Sequence, residues 1–134
     1  MQEGRFSAQR TWQALLRENQ DRNNVFMAVP TVYANLARYY IDGGLEQDYS
    51  PQKIQELLSA YRLMVSGSAA LPVSQMDEWK HISGQTLLER FGMTETLMAL
   101  SNPYLPVEKR LKGCVGSPLP GVEAALLTLV ENEG

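Results

Sequence analysis

Three short apolar runs constrain this 134-residue chain more than anything else in it. The first, Val25-Phe26-Met27-Ala28-Val29, contains no polar residue. A strand covered on both faces reads as such an unbroken apolar run, whereas a half-solvated strand alternates. The second run, Arg62 to Val65, leads into Ser66-Gly67-Ser68-Ala69-Ala70, and the third spans Thr86 to Phe91. Between them lie segments of helical spacing. Pro30 suits the first position of a helix, Val32, Leu36 and Tyr39 or Tyr40 follow its inner face, and Gly43-Gly44 ends it. Ser50-Pro51 opens a second helix with Ile54, Leu57, Leu58 and Tyr61 on one side. Pro72 opens a third, with Val73, Met76 and Trp79, closed by Gly84. The order β-α-α-β-α-β predicts an α/β fold with right-handed crossovers and a mostly parallel sheet flanked by helices.

Composition narrows the class. The length suits one domain. A hydrophobic share of 44% with 20% charged residues fits a globular protein and excludes a disordered one. The net charge of −3 argues against a nucleic-acid partner, which demands clustered Lys and Arg. Cys114 is the one cysteine, so no internal disulfide or cysteine–zinc cluster can form, and a reducing compartment is the plain reading. No apolar stretch approaches the roughly 20 residues of a membrane span.

At the amino end, Arg5, Arg10 and Arg17 with Phe6, Trp12 and Leu16 have the texture of an amphipathic targeting peptide. Glu3 and Glu18 oppose that reading, because such peptides avoid acids. A surface helix over Ser7 to Gln20 is expected instead. Beyond Thr96 the texture changes. Pro and Gly punctuate a loop-rich segment over 101–121, which leads into a final strand over 122–130.

The chemistry concentrates in two strand-to-loop transitions. Open α/β sheets place ligands outside the carboxyl ends of their strands. The Ser66–Ala70 loop is built of small residues, so its backbone can approach a flat ligand closely, although the same string also reads as a plain turn before a helix. Phe91-Gly92-Met93-Thr94-Glu95 offers an aromatic face, a glycine turn, a hydroxyl and a carboxylate. A Thr–Glu pair suits a phosphate and the Mg²⁺ that accompanies it, since Mg²⁺ takes hard oxygen ligands and few of them from protein.

These strings, in this order, carry a resemblance. Phe91 to Glu95, preceded by Ser66 to Pro72 and followed by Val115-Gly116-Ser117-Pro118-Leu119-Pro120-Gly121, resembles the adenylate-forming (AMP-binding, acyl-CoA synthetase) superfamily. Within it, Val25 to Thr31, Leu63 to Pro72 and Leu87 to Glu95 look most like malonyl-CoA synthetases, especially the animal mitochondrial form. The resemblance covers about Asn24 to Gly121. It implies the fold of part of the large amino-terminal domain of such an enzyme. It also implies ATP, Mg²⁺, coenzyme A as co-substrate and a small carboxylic acid as ligands, with the mitochondrial matrix as the compartment (otherwise the cytoplasm). Carried onto matching positions, Ser66, Gly67, Ser68, Ala69 and Ala70 would line the nucleotide and acyl pocket. Phe91 would stack on adenine beside Gly92 and Met93, Thr94 would bond a phosphate oxygen, and Glu95 would help hold Mg²⁺.

Arg90 carries the reading of the acid. A dicarboxylate such as malonate keeps one free carboxylate after the other is activated, and a guanidinium can grip it bidentately. The bland alternative pairs Arg90 with Glu89 at the strand end. Other conspicuous residues take structural readings: His81 as a solvated helix end, Cys114 as a packed turn residue, the methionines as core filler, and Asn102, Pro103 and Tyr104 as loop shapers. The superfamily's Ser/Thr/Gly-rich phosphate loop has no counterpart here, nor do its ribose-gripping aspartate, hinge and catalytic lysine. The chain is therefore expected to be a fragment of one adenylation domain over 1–134, with the rest of the parent enzyme missing. The alternative is a truncated, catalytically inactive nucleotide-binding or protein-interaction module.

Overall fold

Capping chemistry sets the helix boundaries. In the computed structural model, which describes residues 6–17 and 24–127, the Ser50 hydroxyl accepts from the Lys53 amide at 3.2 Å and Pro51 begins the following helix. Gly84 closes another helix at φ +73, a left-handed conformation that costs glycine nothing. The elements in chain order are α1 (Ala8–Leu15), β1 (Val25–Ala28), α2 (Pro30–Ile41), α3 (Pro51–Leu58), β2 (Leu63–Ser66), α4 (Val73–Ser83), β3 (Leu88–Met93), β4 (Leu97–Ser101), a single 3₁₀ turn (Val107–Lys109) and β5 (Ser117–Pro118).

The five strands lie in sequence order in one sheet. Pairing is parallel from β1 to β2 to β3, and antiparallel from β3 to β4 to β5. The α/β class thus holds, and the parallel expectation holds for the first three strands. The sheet as a whole is mixed. The antiparallel half was hidden because β4 follows β3 through a tight hairpin, in a region whose Pro and Gly content read as loop.

The main core lies between one face of the sheet and the helices. It joins Trp12, Tyr33, Leu36, Ile54, Leu58, Met76 and Trp79 to Met64 of β2 and to Leu87. Trp12 and Trp79 stack with ring centroids 5.7 Å apart, and Tyr33 meets Trp79 edge-on at 4.9 Å. The polar tips of these aromatics are satisfied: Trp12 Nε1 donates to Leu36 O at 3.0 Å and the Tyr33 hydroxyl to Val65 O at 2.9 Å. Helix α1 is therefore built into the fold, shorter than the predicted 7–20 stretch, of which residues 18–20 lie outside the described residues.

Three further expectations are corrected. Strand β1 is covered on one face only: Val25, Met27 and Val29 remain 38%, 57% and 39% exposed. Its neighbours on that open face are few among the described residues, where the buried cluster is Leu63, Val65 and Leu88. The third strand starts two residues later than predicted and runs on to Met93, so Gly92 sits inside the strand and not in a turn. The reversal falls at Thr94–Thr96, with Leu97 in the left-handed region at φ +57. Finally, residues 122–127 form no strand, and 128–130 lie outside the described residues. An apolar run becomes a strand only where another edge accepts its hydrogen bonds, and Leu126 and Leu127 stand fully in solvent.

The loop-rich stretch is held by side chains. Asn102, buried, donates to Cys114 O and accepts from the Leu111 amide at 2.9 Å. The Arg110 guanidinium donates to the carbonyls of Pro103, Tyr104 and Thr86, tying the loop to the start of β3. Asn102 thus shapes the loop as expected, Pro103 and Tyr104 contribute backbone carbonyls to it, and His81 is exposed on α4.

Candidate functional site

Where β1, β2 and β3 end, the open face of the sheet becomes a cleft of about 640 Å³. Parallel pairing brings it about: β1 and β2 run in the same direction with Ala28 opposite Ser66, and Ser66 stands opposite Glu89. All three strands therefore deliver their carboxyl ends to one edge, where ligands of such sheets bind. Strand β3 overshoots its neighbour, carrying Arg90 to Met93 past the end of β2 into the hairpin with β4.

The cleft gathers Gly67 and Ser68 from the small-residue loop with Arg90, Gly92, Met93 and Thr94 from β3 and its turn. Ser66, Ala69, Ala70, Phe91 and Glu95 do not line it. Ser66 is fully buried beneath the loop, while Ala69 and Ala70 are exposed. Arg90 and Phe91 are consecutive strand residues, so their side chains leave opposite faces. Phe91, 41% exposed, belongs to the helix side of the strand ends.

Among the described residues, Arg90 is the one charged residue in the cleft wall. Its Nε is buried and has no hydrogen-bond partner. The pairing with Glu89 does not occur, because that carboxylate points to the helix side, where Oε1 accepts from the Leu71 amide at 3.1 Å. A buried guanidinium nitrogen without an acceptor is costly, and an anion in the cleft would satisfy it.

At the hairpin tip, Thr94 and Glu95 are both exposed, and neither side chain bonds another described residue. No group of three or more His, Cys, Asp or Glu side chains is placed to hold a metal among the described residues. A single free carboxylate is nevertheless what a Mg²⁺ carried in by phosphate oxygens requires. The donor set at the tip fits that ion as one protein ligand.

Gly92 has a physical reason to be glycine. A Cβ there would stand 2.4 Å from Leu97 O and 3.0 Å from Met98 Cα, both backbone atoms. The close approach accompanies a bulge: Phe91 pairs with Leu100 and Gly92 with Met98, leaving Ala99 over. Gly67 differs, since its nearest neighbour would be Arg90 O at 3.6 Å.

The remaining cleft wall escaped sequence reading. Met27 and Ala28 come from β1, Val29 from the junction with α2, Val65 from β2, and Leu97 and Met98 from β4. The Leu97-Met98-Ala99-Leu100 run directly after a polar turn was the available signal for β4. Glu89, buried yet acidic, was passed over as a possible salt-bridge partner.

With this geometry in place, comparison with known proteins gives a consistent result. Residues 3–133 match the family of AMP-binding enzymes. The chain is 48% identical over 128 residues to the mitochondrial malonate–CoA ligase of Bos taurus, covering 92% of this chain and 21% of that one. It is 44% identical over 122 residues to the malonate–CoA ligase of Arabidopsis thaliana, covering 87% and 19%. Among solved structures it resembles ATP-bound MatB from Rhodopseudomonas palustris, with TM-score 0.66 and 36% identity over 87% of this chain and 20% of that one. It also resembles a malonyl-CoA ligase complexed with methylmalonyl-CoA and AMP, with TM-score 0.67 and 35% identity over 89% and 23%.

A mixed sheet with a cleft at its carboxyl edge, a small-residue loop and an aromatic-Gly-x-Thr-Glu hairpin make up a helix-flanked α/β segment. The chain belongs to the AMP-binding enzyme family. It spans about one fifth of the length of the curated relatives named above.

Proposed function

We propose that this chain is the nucleotide- and acid-binding part of an adenylation domain in an ATP-dependent acid–thiol ligase, and that the acid is malonate. In that reaction a carboxylate oxygen bonds to the α-phosphorus of ATP as the bond to pyrophosphate breaks. The thiol sulfur of coenzyme A then bonds to the acyl carbon, and AMP leaves. Mg²⁺ would neutralise charge on the phosphoryl oxygens.

The residues divide the work by sheet face. Arg90 holds the distal carboxylate of the acid in the cleft, against the apolar wall of Met27, Val29 and Met98. Adenine lies on the other side of the strand ends, against Phe91 and the exposed Ala69–Ala70 backbone. Thr94 and Glu95 stand at the tip between the two, where the hydroxyl can donate to a phosphate oxygen and the carboxylate can ligate Mg²⁺. Ser66, Gly67 and Ser68 carry the loop past the bound ligands. The remaining protein groups for catalysis come from the rest of the enzyme. The mitochondrial matrix is the proposed compartment, in line with the mitochondrial relative of Bos taurus. A stand-alone, inactive module is not supported by the malonate–CoA and malonyl-CoA ligases that the chain resembles.

The observation that carries the malonate reading is the buried, acceptor-less Arg90 Nε in an otherwise uncharged cleft. Arg90→Leu in the full-length enzyme is expected to harm malonate far more than propionate, which lacks the second charge. Truncating a buried charge pair costs about 2–5 kcal/mol, or roughly 30- to several-thousand-fold in the ratio of kcat/KM values. Equal losses for the two acids would remove Arg90 from substrate recognition. Failure of the wild type to activate either acid with ATP would overturn the ligase reading itself.

A further inference from the structure

The small-residue loop crosses the strand ends with little hydrogen bonding of its own. At its start the Gly67 amide donates to Ala28 O at 3.3 Å, extending the sheet by one bond. Ser68 follows in the left-handed region at φ +66, a conformation unusual for a residue with a side chain. The amides of Ser68, Ala69 and Ala70 make no hydrogen bond to a described residue. The next fixed point is Leu71, whose amide donates to Glu89 Oε1 at 3.1 Å and whose side chain is buried in the helix-side core. Pro72 has no amide, and α4 begins at Val73.

Glu89 is an improbable residue for its place. It is 2% exposed, on the central strand, and an acid is rarely buried without a task. Its Oε2 is buried and unpartnered, as is the hydroxyl of Ser66, its register neighbour on β2. A leucine would fill the site without those costs. What it could not do is accept from the Leu71 amide, the one hydrogen bond that amide makes among the described residues.

We propose that Glu89 is a positioning residue, whose buried carboxylate pins the far end of the 67–71 loop through the Leu71 amide and so holds Gly67 and Ser68 opposite Arg90 and Thr94 across the cleft. Glu89 acts through the loop and touches neither acid nor nucleotide. A loop tied at Gly67 and Leu71, with three unbonded amides between, keeps those donors free for a ligand. Without that bond Leu71 is held by its buried side chain alone, the backbone before it loosens, and the three amides can turn to water. The inference rests on the cleft being the ligand site proposed above, but the tether itself can be tested without activity.

Two variants separate the roles: Glu89→Gln retains a carbonyl acceptor, and Glu89→Met keeps length and volume without one. In the 134-residue chain, amide exchange at Leu71 is compared with that at Leu87 of the core, within each variant. Glu89→Met is expected to raise exchange at Leu71 about tenfold relative to Leu87, the value of one hydrogen bond at about 1.4 kcal/mol per decade. Glu89→Gln should leave that ratio near wild type. In the full-length enzyme, Glu89→Met should raise KM for ATP by about tenfold with a smaller change in kcat, and Glu89→Gln should restore it. An unchanged Leu71 ratio in Glu89→Met, or a rise shared equally by Leu87, would overturn the tether. An intact exchange pattern in an enzyme that never uses ATP would instead count against the proposed function and leave the tether standing.

Discussion

The two faces of this sheet are made from adjacent residues of the same strands, yet they obey different rules. On the helix side, Met64 and Leu87 meet Trp12, Tyr33 and Trp79 in a continuous core in which the polar tips of Trp12 and Tyr33 are satisfied. On the other side, Met27, Met93, Leu97 and Met98 are 57%, 49%, 77% and 40% exposed, and with Arg90 they line the cleft, where its buried Nε lacks an acceptor. The first face is organised to fold, the second to receive something. Alternation along a strand lets one sequence do both, because each residue step changes face.

If that division is real, truncation should be costly on one face and almost free on the other. Trp79→Ala removes a fully buried ring that touches both Trp12 and Tyr33. Loss of about 3–5 kcal/mol is expected, enough to unfold a marginal domain. Met27→Ser, on the open edge strand, should change stability by about 0.5 kcal/mol or less, and should lower self-association by removing apolar edge surface. Urea melts and sedimentation of the two variants supply the comparison. Similar losses at both positions would mean that the open face is packed in solution.

The hairpin that closes the cleft has its own asymmetry. Gly92→Ala drives a Cβ into the Leu97 carbonyl and the Met98 Cα, neither of which can step aside without opening the β3–β4 ladder. A cost on the order of 1–3 kcal/mol follows. Gly67→Ala meets only ordinary contact and should be neutral or slightly stabilising, through the lower entropy of the unfolded chain. Thermal melts distinguish the two, and a Gly92→Ala protein as stable as wild type would show that the hairpin can shift register.

These contrasts explain what the sequence disclosed. Helix starts at Pro30 and Pro51 and the stop at Gly84 were legible because proline, a Ser cap and glycine act locally. The carboxyl-edge location of the cleft was legible because parallel order fixes it. Strand β4 was missed, as was the placement of Gly92 inside β3, because both depend on a bulged pairing between residues that local pattern does not connect. Likewise, an unbroken apolar run at Val25–Val29 announced burial on two faces, while only one is covered by the described residues. The string Glu89-Arg90-Phe91 showed that chemistry was concentrated there. It could not show that Glu89 faces the loop and Arg90 the cleft, since that requires the strand's register against β2.

A smaller loss than at Trp79 comes from a single bond between the layers. The Tyr33 hydroxyl leaves α2 to donate to Val65 O at 2.9 Å, on the strand whose other face lines the cleft. Tyr33→Phe keeps the ring contacts with Phe26 and Trp79 and should cost about 1 kcal/mol at neutral pH. Burial also pushes the Tyr33 phenol far above its ordinary value of 10.0. The folded chain therefore keeps this proton where the unfolded chain releases it. Stability from Tyr33 is complete below pH 10 and falls as pH rises beyond, by at most about 1.4 kcal/mol per pH unit. Tyr33→Phe has no such proton. The gap between wild type and variant should thus be constant from pH 7 to 9 and shrink above pH 10, in urea melts run across that range. A gap that persists unchanged at pH 11 would mean that the phenol ionises in place, and that the boundary between packed and open faces admits water at β2.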